Sequence, residues 1–196
     1  MTELLGIVGT VNQPSKTRAA VEIALEAAEN NMDASTNVLH LAEYDIATPD
    51  GRPLDAYEGD TAAALERIVE SDAYIIGTPV YRASYSGILK DLLDMVPRGK
   101  WMADVAPFES AAIGLVATGA TPHHFLTVDT ALRPLMGFFG SHVTSGVYAY
   151  DEHFDDERKV TDDNIRKRLS RLGAGTVELQ RVIEESYHLS ALTPQV

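Results

Sequence analysis

At 196 residues, with 45% hydrophobic and 23% charged side chains, the chain has the size and composition of one globular domain, 1–196, able to bury a core. A formal net charge of −13 repels phosphate backbones and anionic lipid, so neither a nucleic-acid nor a membrane partner is expected. Cysteine is absent, which excludes disulfides and thiolate chemistry, and with no signal-like or membrane-length apolar run the expected location is the cytoplasm.

An apolar run at 4–9, ending in Gly9, reads as a buried first strand. After a turn-rich loop, a helical pattern runs from Ser15 to about 30, with Val21, Leu25 and Ala28 on one face. Ser15 or Thr17 suits the cap, because a hydroxyl there accepts an orphan backbone N–H. A helix start also offers free N–H groups and the positive end of a dipole. Thr10, Ser15 and Thr17 add hydroxyls and Lys16 a charge, so the loop fits a phosphate. A capped helix without a ligand fits these residues equally well. The loop has neither the later glycines of a dinucleotide fingerprint nor a Walker lysine motif, which favours a monophosphate.

Residues 37–41 read as the second strand, 42–60 as a long polar connection, and 61–71 as a helix with Leu65, Ile68 and Val69 inward. A third strand at 73–77 runs into Thr78-Pro79-Val80-Tyr81-Arg82-Ala83-Ser84-Tyr85-Ser86-Gly87, and a helix follows at 88–96. Pro79 fixes one φ, and Val80 and Tyr81 offer a flat, partly apolar surface. Arg82 and the serines add donors around it. A planar, polar-edged ring such as a flavin suits that loop; so does no ligand at all, with the proline purely structural.

The stretch 98–107, with the sole tryptophan Trp101, reads as a linker, and 111–117 as a fourth strand entering Thr118-Gly119-Ala120-Thr121-Pro122. Of Tyr81, Tyr85 and Trp101, only Tyr81 stands where a ring platform is needed. A helix is expected over 122–139, with Pro134 imposing a kink or break. Leu135, Met136, Phe138 and Phe139 make that helix apolar on more than one side, as at an interface between copies. Arg133 reads as an interface ion pair. His123 and His124 read as a helix-start or interface pair, since neighbours diverge on a helix and no metal-ligand spacing accompanies them. No metal is expected. Residues 142–148 form the fifth strand, 151–163 an acidic solvated surface, and 163–187 a last helix weakened in its middle by Gly173 and Gly175.

Strands alternating with helices imply an α/β three-layer sandwich around a five-stranded parallel sheet. The count fits the flavodoxin-like order 2-1-3-4-5, in which the loops after strands 1 and 3 meet at a switch point. Both candidate loops then lie at one sheet edge, which strengthens the flavin reading beyond either loop alone.

Thr78-Pro79-Val80-Tyr81, Ser84-Tyr85-Ser86-Gly87 and Leu89-Lys90-Asp91-Leu92-Leu93-Asp94 resemble the NAD(P)H-dependent FMN reductases of the flavodoxin superfamily. Ala117-Thr118-Gly119-Ala120 with His124, then Leu132-Arg133-Pro134-Leu135, resemble the subgroup serving two-component sulfonate and sulfone monooxygenases. Gly146-Val147-Tyr148-Ala149 fits the strand after them. The resemblance runs from the first strand to about 155. It implies FMN and NAD(P)H as the reacting pair, with hydride passing between stacked rings and no side-chain acid or base. It also implies a homodimer or homotetramer, and a flavin-dependent monooxygenase as the recipient of reduced FMN. Carried over by position, Thr10, Asn12, Ser15, Lys16 and Thr17 take the phosphate, and Pro79, Val80, Tyr81 and Arg82, with Ser84, the isoalloxazine. Thr118, Gly119, Ala120 and Thr121 then line the ring's other edge. Asn12 stands where many members have arginine, and Ala120 where a second glycine is frequent. A flavodoxin-type electron carrier and an FMN-bound quinone or azo reductase stay open as alternatives.

Overall fold

Five parallel strands form one sheet: β1 (Glu3–Val8), β2 (Ser35–His40), β3 (Ala73–Pro79), β4 (Ala112–Gly119) and β5 (His142–Tyr150). Their order, β2-β1-β3-β4-β5, is the expected one. The structure, a computed structural model, describes residues 1–99 and 103–191; Trp101 lies outside them. Helices α1 (Lys16–Met32) and α5 (Asp163–Glu185) cover one face, and α2 (Gly59–Val69), α3 (Gly87–Met95) and α4 (Arg133–Phe139) the other.

Both faces being covered, the inner strands are apolar on both sides. Leu4 and Val8 of β1 pack with Val21 and Leu25 of α1 and Leu169 and Leu172 of α5. Leu5 and Ile7, one residue out of phase, join Leu65, Ile68 and Leu92 from the opposite layer. Gly173 lies where α5 meets α1: a Cβ there would fall 2.6 Å from the Ala24 carbonyl carbon. The glycine expected to weaken the helix thus sets how closely two helices approach. Gly175, with nothing within 4 Å of a Cβ, has no such reason.

The single helix expected over 122–139 is three pieces: a 3-10 turn at Pro122–His124, a π turn at Val128–Leu132, and α4. Pro134 is the second residue of α4 and follows directly on the π turn, in which the Arg133 N–H reaches back to the Val128 carbonyl. The backbone stays helical through the join, with Leu132 and Arg133 both in the right-handed helical region, so in place of the expected kink or break a π turn runs straight into α4. The acids of 151–163 lie at the surface as expected, all exposed but the half-buried Asp162, while two apolar residues among them turn inward. Phe154 and Val160 pair as an antiparallel bridge and are buried on the α1/α5 side, so the acids decorate a hairpin with an anchored base.

At the end of β2, His40 is fully buried, with Nδ1 3.3 Å from Arg18 Nη1 and Nε2 without a partner among the described residues. Burial first, then the Arg18 charge, hold its pKa below the ordinary 6.5, against the opposing pull of Glu43 and Glu22. The unfolded chain therefore takes up a proton at a higher pH than the folded one. Stability is intact above about pH 6.5 and falls as the pH drops below it. Thermal melts between about pH 7.5 and 5.5 should show a larger loss for wild type than for His40→Asn; equal losses would contradict the assignment.

Candidate active site

At the carboxyl ends of β1, β3 and β4 three loops surround a cavity of about 340 Å³, within the range of small-molecule sites. The loop after β1 supplies Thr10, Asn12, Ser15, Lys16 and Thr17. Pro79, Val80 and Tyr81 come from the second loop, and Thr118, Gly119 and Ala120 from the third. Arg82, Ser84 and Thr121 are not among its lining residues. Two residues that sequence reasoning did not single out, Asp151 and Arg158, complete the wall.

Ser15 caps α1: its Oγ accepts the Arg18 N–H at 3.1 Å, which leaves the hydroxyl proton free to donate. Thr10 Oγ1 likewise accepts the Asn12 N–H at 3.2 Å and keeps its own proton. Thr17 and Thr118 hydroxyls bond each other at 2.7 Å, both buried, so the pair has one proton left over. With the third N–H of α1 taken by Ser15, those of Lys16 and Thr17 have no intrahelical acceptor. The helix dipole adds positive potential at the same point. These spare donors converge on one end of the cavity, which matches a phosphate group.

The second loop is tied down from both sides. The Val80 N–H donates to the Thr118 carbonyl at 2.7 Å, and Ser86, the cap of α3, donates from Oγ to the Gly9 carbonyl at 2.5 Å. Thr78 Oγ1 accepts the Ser86 N–H at 3.0 Å. Tyr81 and Ser84 pair across a two-residue turn in which Arg82 and Ala83 have φ of 52° and 62°. Left-handed backbone at two non-glycine residues is strained, and strain of this kind gathers at functional sites. Tyr81 is left half exposed, its hydroxyl accepting from Asn12 Nδ2 at 3.2 Å. Tyr85 packs against the core instead.

Gly119 is read by its surroundings: a Cβ there would sit 3.1 Å from Cζ of Tyr148, whose hydroxyl donates to the Thr121 carbonyl at 2.5 Å. Burial, then the charge of Asp151, raise the Tyr148 pKa above 10.0, so the phenol remains a donor at neutral pH. Ala120, by contrast, is exposed. His123 and His124 lie on the 3-10 turn beyond, with His123 Nδ1 3.3 Å from Thr121 Oγ1. Arg133 pairs within its own chain, with Asp129 at 2.9 Å, and donates to the Thr144 carbonyl. A larger hollow of about 700 Å³ lies towards β5, Phe125 and α5, but the helix-start donors open into the smaller one.

The profile of the family described as NADPH-dependent FMN reductase matches residues 2–155. The chain belongs to that family. An NAD(P)H-dependent FAD/FMN reductase of Geobacillus thermodenitrificans is 30% identical over 178 residues, spanning 90% of this chain and 92% of the relative. The NADH-dependent FMN reductase SfnF of Pseudomonas putida is 32% identical over 158 residues, 79% of this chain and 80% of its own. Among solved structures, the apo form of the NADH:FMN oxidoreductase EMOB superposes with a TM-score of 0.73 at 24% identity, covering 99% of this chain and 95% of that one. As a member of the family the chain is an oxidoreductase acting on NAD(P)H and FMN. No helix among the described residues is long and apolar enough to cross a membrane.

Proposed function

We propose that the three-loop cavity binds FMN while NAD(P)H reduces it, and that the flavin enters and leaves as a substrate. The carrying observation is the convergence of spare donors from Thr10, Ser15 and the α1 start with the flat edge of Pro79, Val80 and Tyr81 in one cavity. FMN held there would supply the hydride acceptor for the nicotinamide and, being a substrate, would leave in its reduced form. The chain's own part is to orient. Thr10, Asn12, Ser15, Lys16 and Thr17 hold the phosphate; Pro79, Val80 and Tyr81 support the ring, with Arg82 and Ser84 shaping the turn beside it. Thr118, Gly119, Ala120 and Thr121 border the opposite edge. Stacking two rings within reacting distance needs a platform and an open face rather than a proton donor, so no side chain is assigned as acid or base.

Tyr81 is half exposed, which favours release over permanent retention. A fixed electron carrier or an FMN-bound quinone or azo reductase would gain from a closed ring pocket, and neither is favoured here. The reading further includes hand-over of reduced FMN to a flavin-dependent monooxygenase, for which the likeness of 117–135 to the sulfonate-linked subgroup is the support. It also includes a single domain working in the cytoplasm as a homodimer or homotetramer. Phe125, Leu126 and Phe138, each more than half exposed, give that assembly an apolar surface. Titrating the protein into FMN and following flavin fluorescence tests the site. One FMN per chain, with a dissociation constant in the micromolar range, about −8 kcal/mol, is expected. Absence of binding at millimolar flavin would overturn the assignment.

A further inference from the structure

We propose that Arg158, from the hairpin between β5 and α5, is the cation that selects a phosphorylated flavin over an unphosphorylated one. The inference rests on the FMN reading of the cavity and adds a residue to it. Three charged side chains line the cavity: Lys16, Asp151 and Arg158. Lys16 Nζ is bonded to Asp151 Oδ1 at 2.9 Å, so those two charges largely cancel. The loop after β1 contains no arginine; Asn12, at the position where one is frequent in the family, is neutral and donates to Tyr81. Of the three, Arg158 alone has no ion-pair partner among the described residues.

Its freedom is unusual for its surroundings. Asp155, Asp156 and Glu157 precede it, yet its guanidinium makes no hydrogen bond or ion pair among the described residues, and Glu157 pairs with Lys159 instead. The backbone is held while the side chain is not. The Arg158 N–H donates to the Asp155 carbonyl at 2.9 Å, the Lys159 N–H to Asp155 Oδ1 at 2.8 Å, and Phe154 and Val160 anchor the hairpin base. Arg158 has φ of 66°, a left-handed conformation that an L residue adopts only under constraint. In a chain with net charge −13, an anion has little general attraction to the surface. A planar guanidinium that can fork onto two phosphate oxygens supplies it locally. The geometry also makes Arg158 the junction with a second hollow, whose walls include Ser15 and Arg18, so the cation stands on the outer side of the phosphate end.

The test is equilibrium fluorescence titration with FMN and with riboflavin, which lacks the phosphate, for wild type, Arg158→Gln and Arg158→Lys. Arg158→Gln should weaken FMN about tenfold or more, the scale of a lost charge-assisted bond, and leave riboflavin unchanged. Arg158→Lys should recover part of the FMN affinity. The FMN preference of wild type should also shrink with added salt more steeply than that of Arg158→Gln. FMN affinity within about twofold of wild type in Arg158→Gln, or equal weakening of both flavins, would overturn the role of Arg158 while leaving the cavity as the flavin site. A wild-type protein that bound neither flavin would remove both.

Discussion

Gly173→Leu should destabilise the fold by about 3 kcal/mol, the upper part of the usual range for overpacking. A Cβ at 173 meets the backbone carbonyl of Ala24, and a backbone group has no alternative rotamer. Either α5 moves out from α1 or both helices bend, and the core between them, including Val21, Leu25, Leu169 and Leu172, opens with them. For a chain of this length the loss corresponds to roughly 6–12 °C in Tm. Gly175→Ala is the matched control: it lies two residues on, in open space, and should raise stability by about 0.5–1 kcal/mol through lower chain entropy. Differential scanning calorimetry of both variants checks the pair. A tolerated leucine at 173 would mean that the two helices do not pack at this distance.

The second large effect concerns ligand affinity. Ser15→Ala combined with Thr17→Ala should weaken FMN by about 1–3 kcal/mol, because charge-assisted hydrogen bonds to an anion are lost at the start of α1. Ser15 contributes the spare proton of a capping hydroxyl; Thr17 removal also breaks the buried pair with Thr118, which positions the first loop against the third. Losing the cap costs the helix about 1 kcal/mol as well, so circular dichroism must show an intact fold before the titration is read. Unchanged FMN affinity in a folded double variant would move the phosphate away from this helix start.

How far the sequence reached depended on whether the relevant signal was local. Ser15 before a helical period, and Pro79 after an apolar run, are local signals, and alternation of strands with helices implied the parallel sandwich. Together with the flavodoxin-like order that the count of strands fits, they bring Thr10, Ser15, Pro79, Tyr81 and Thr118 to one cavity. Gly173 was misjudged because its reason is a carbonyl on a helix some 150 residues earlier in the chain, which no propensity registers. The helix expected over 122–139 failed for a related reason. Apolar spacing there is helical on average, but it registers neither the 3-10 turn at Pro122–His124 nor the π turn at Val128–Leu132 that runs into α4 just before Pro134. Arg158 was hidden in an acidic run without periodicity, three residues past the end of the family match, and only the hairpin closed by Phe154 and Val160 carries it to the cavity. Arg82 shows the converse. It neighbours Tyr81 in sequence, yet it stands on a turn with two positive φ values and is not among the residues lining the cavity.

The most direct test of the central claim is NAD(P)H oxidation by exhaustively dialysed protein as a function of added FMN. If the cavity turns flavin over as a substrate, the dialysed protein is colourless and inactive alone, and the rate saturates with FMN in the micromolar range. Retention of one FMN per chain through dialysis, with a rate indifferent to added FMN, would contradict it and mark the flavin as a fixed prosthetic group.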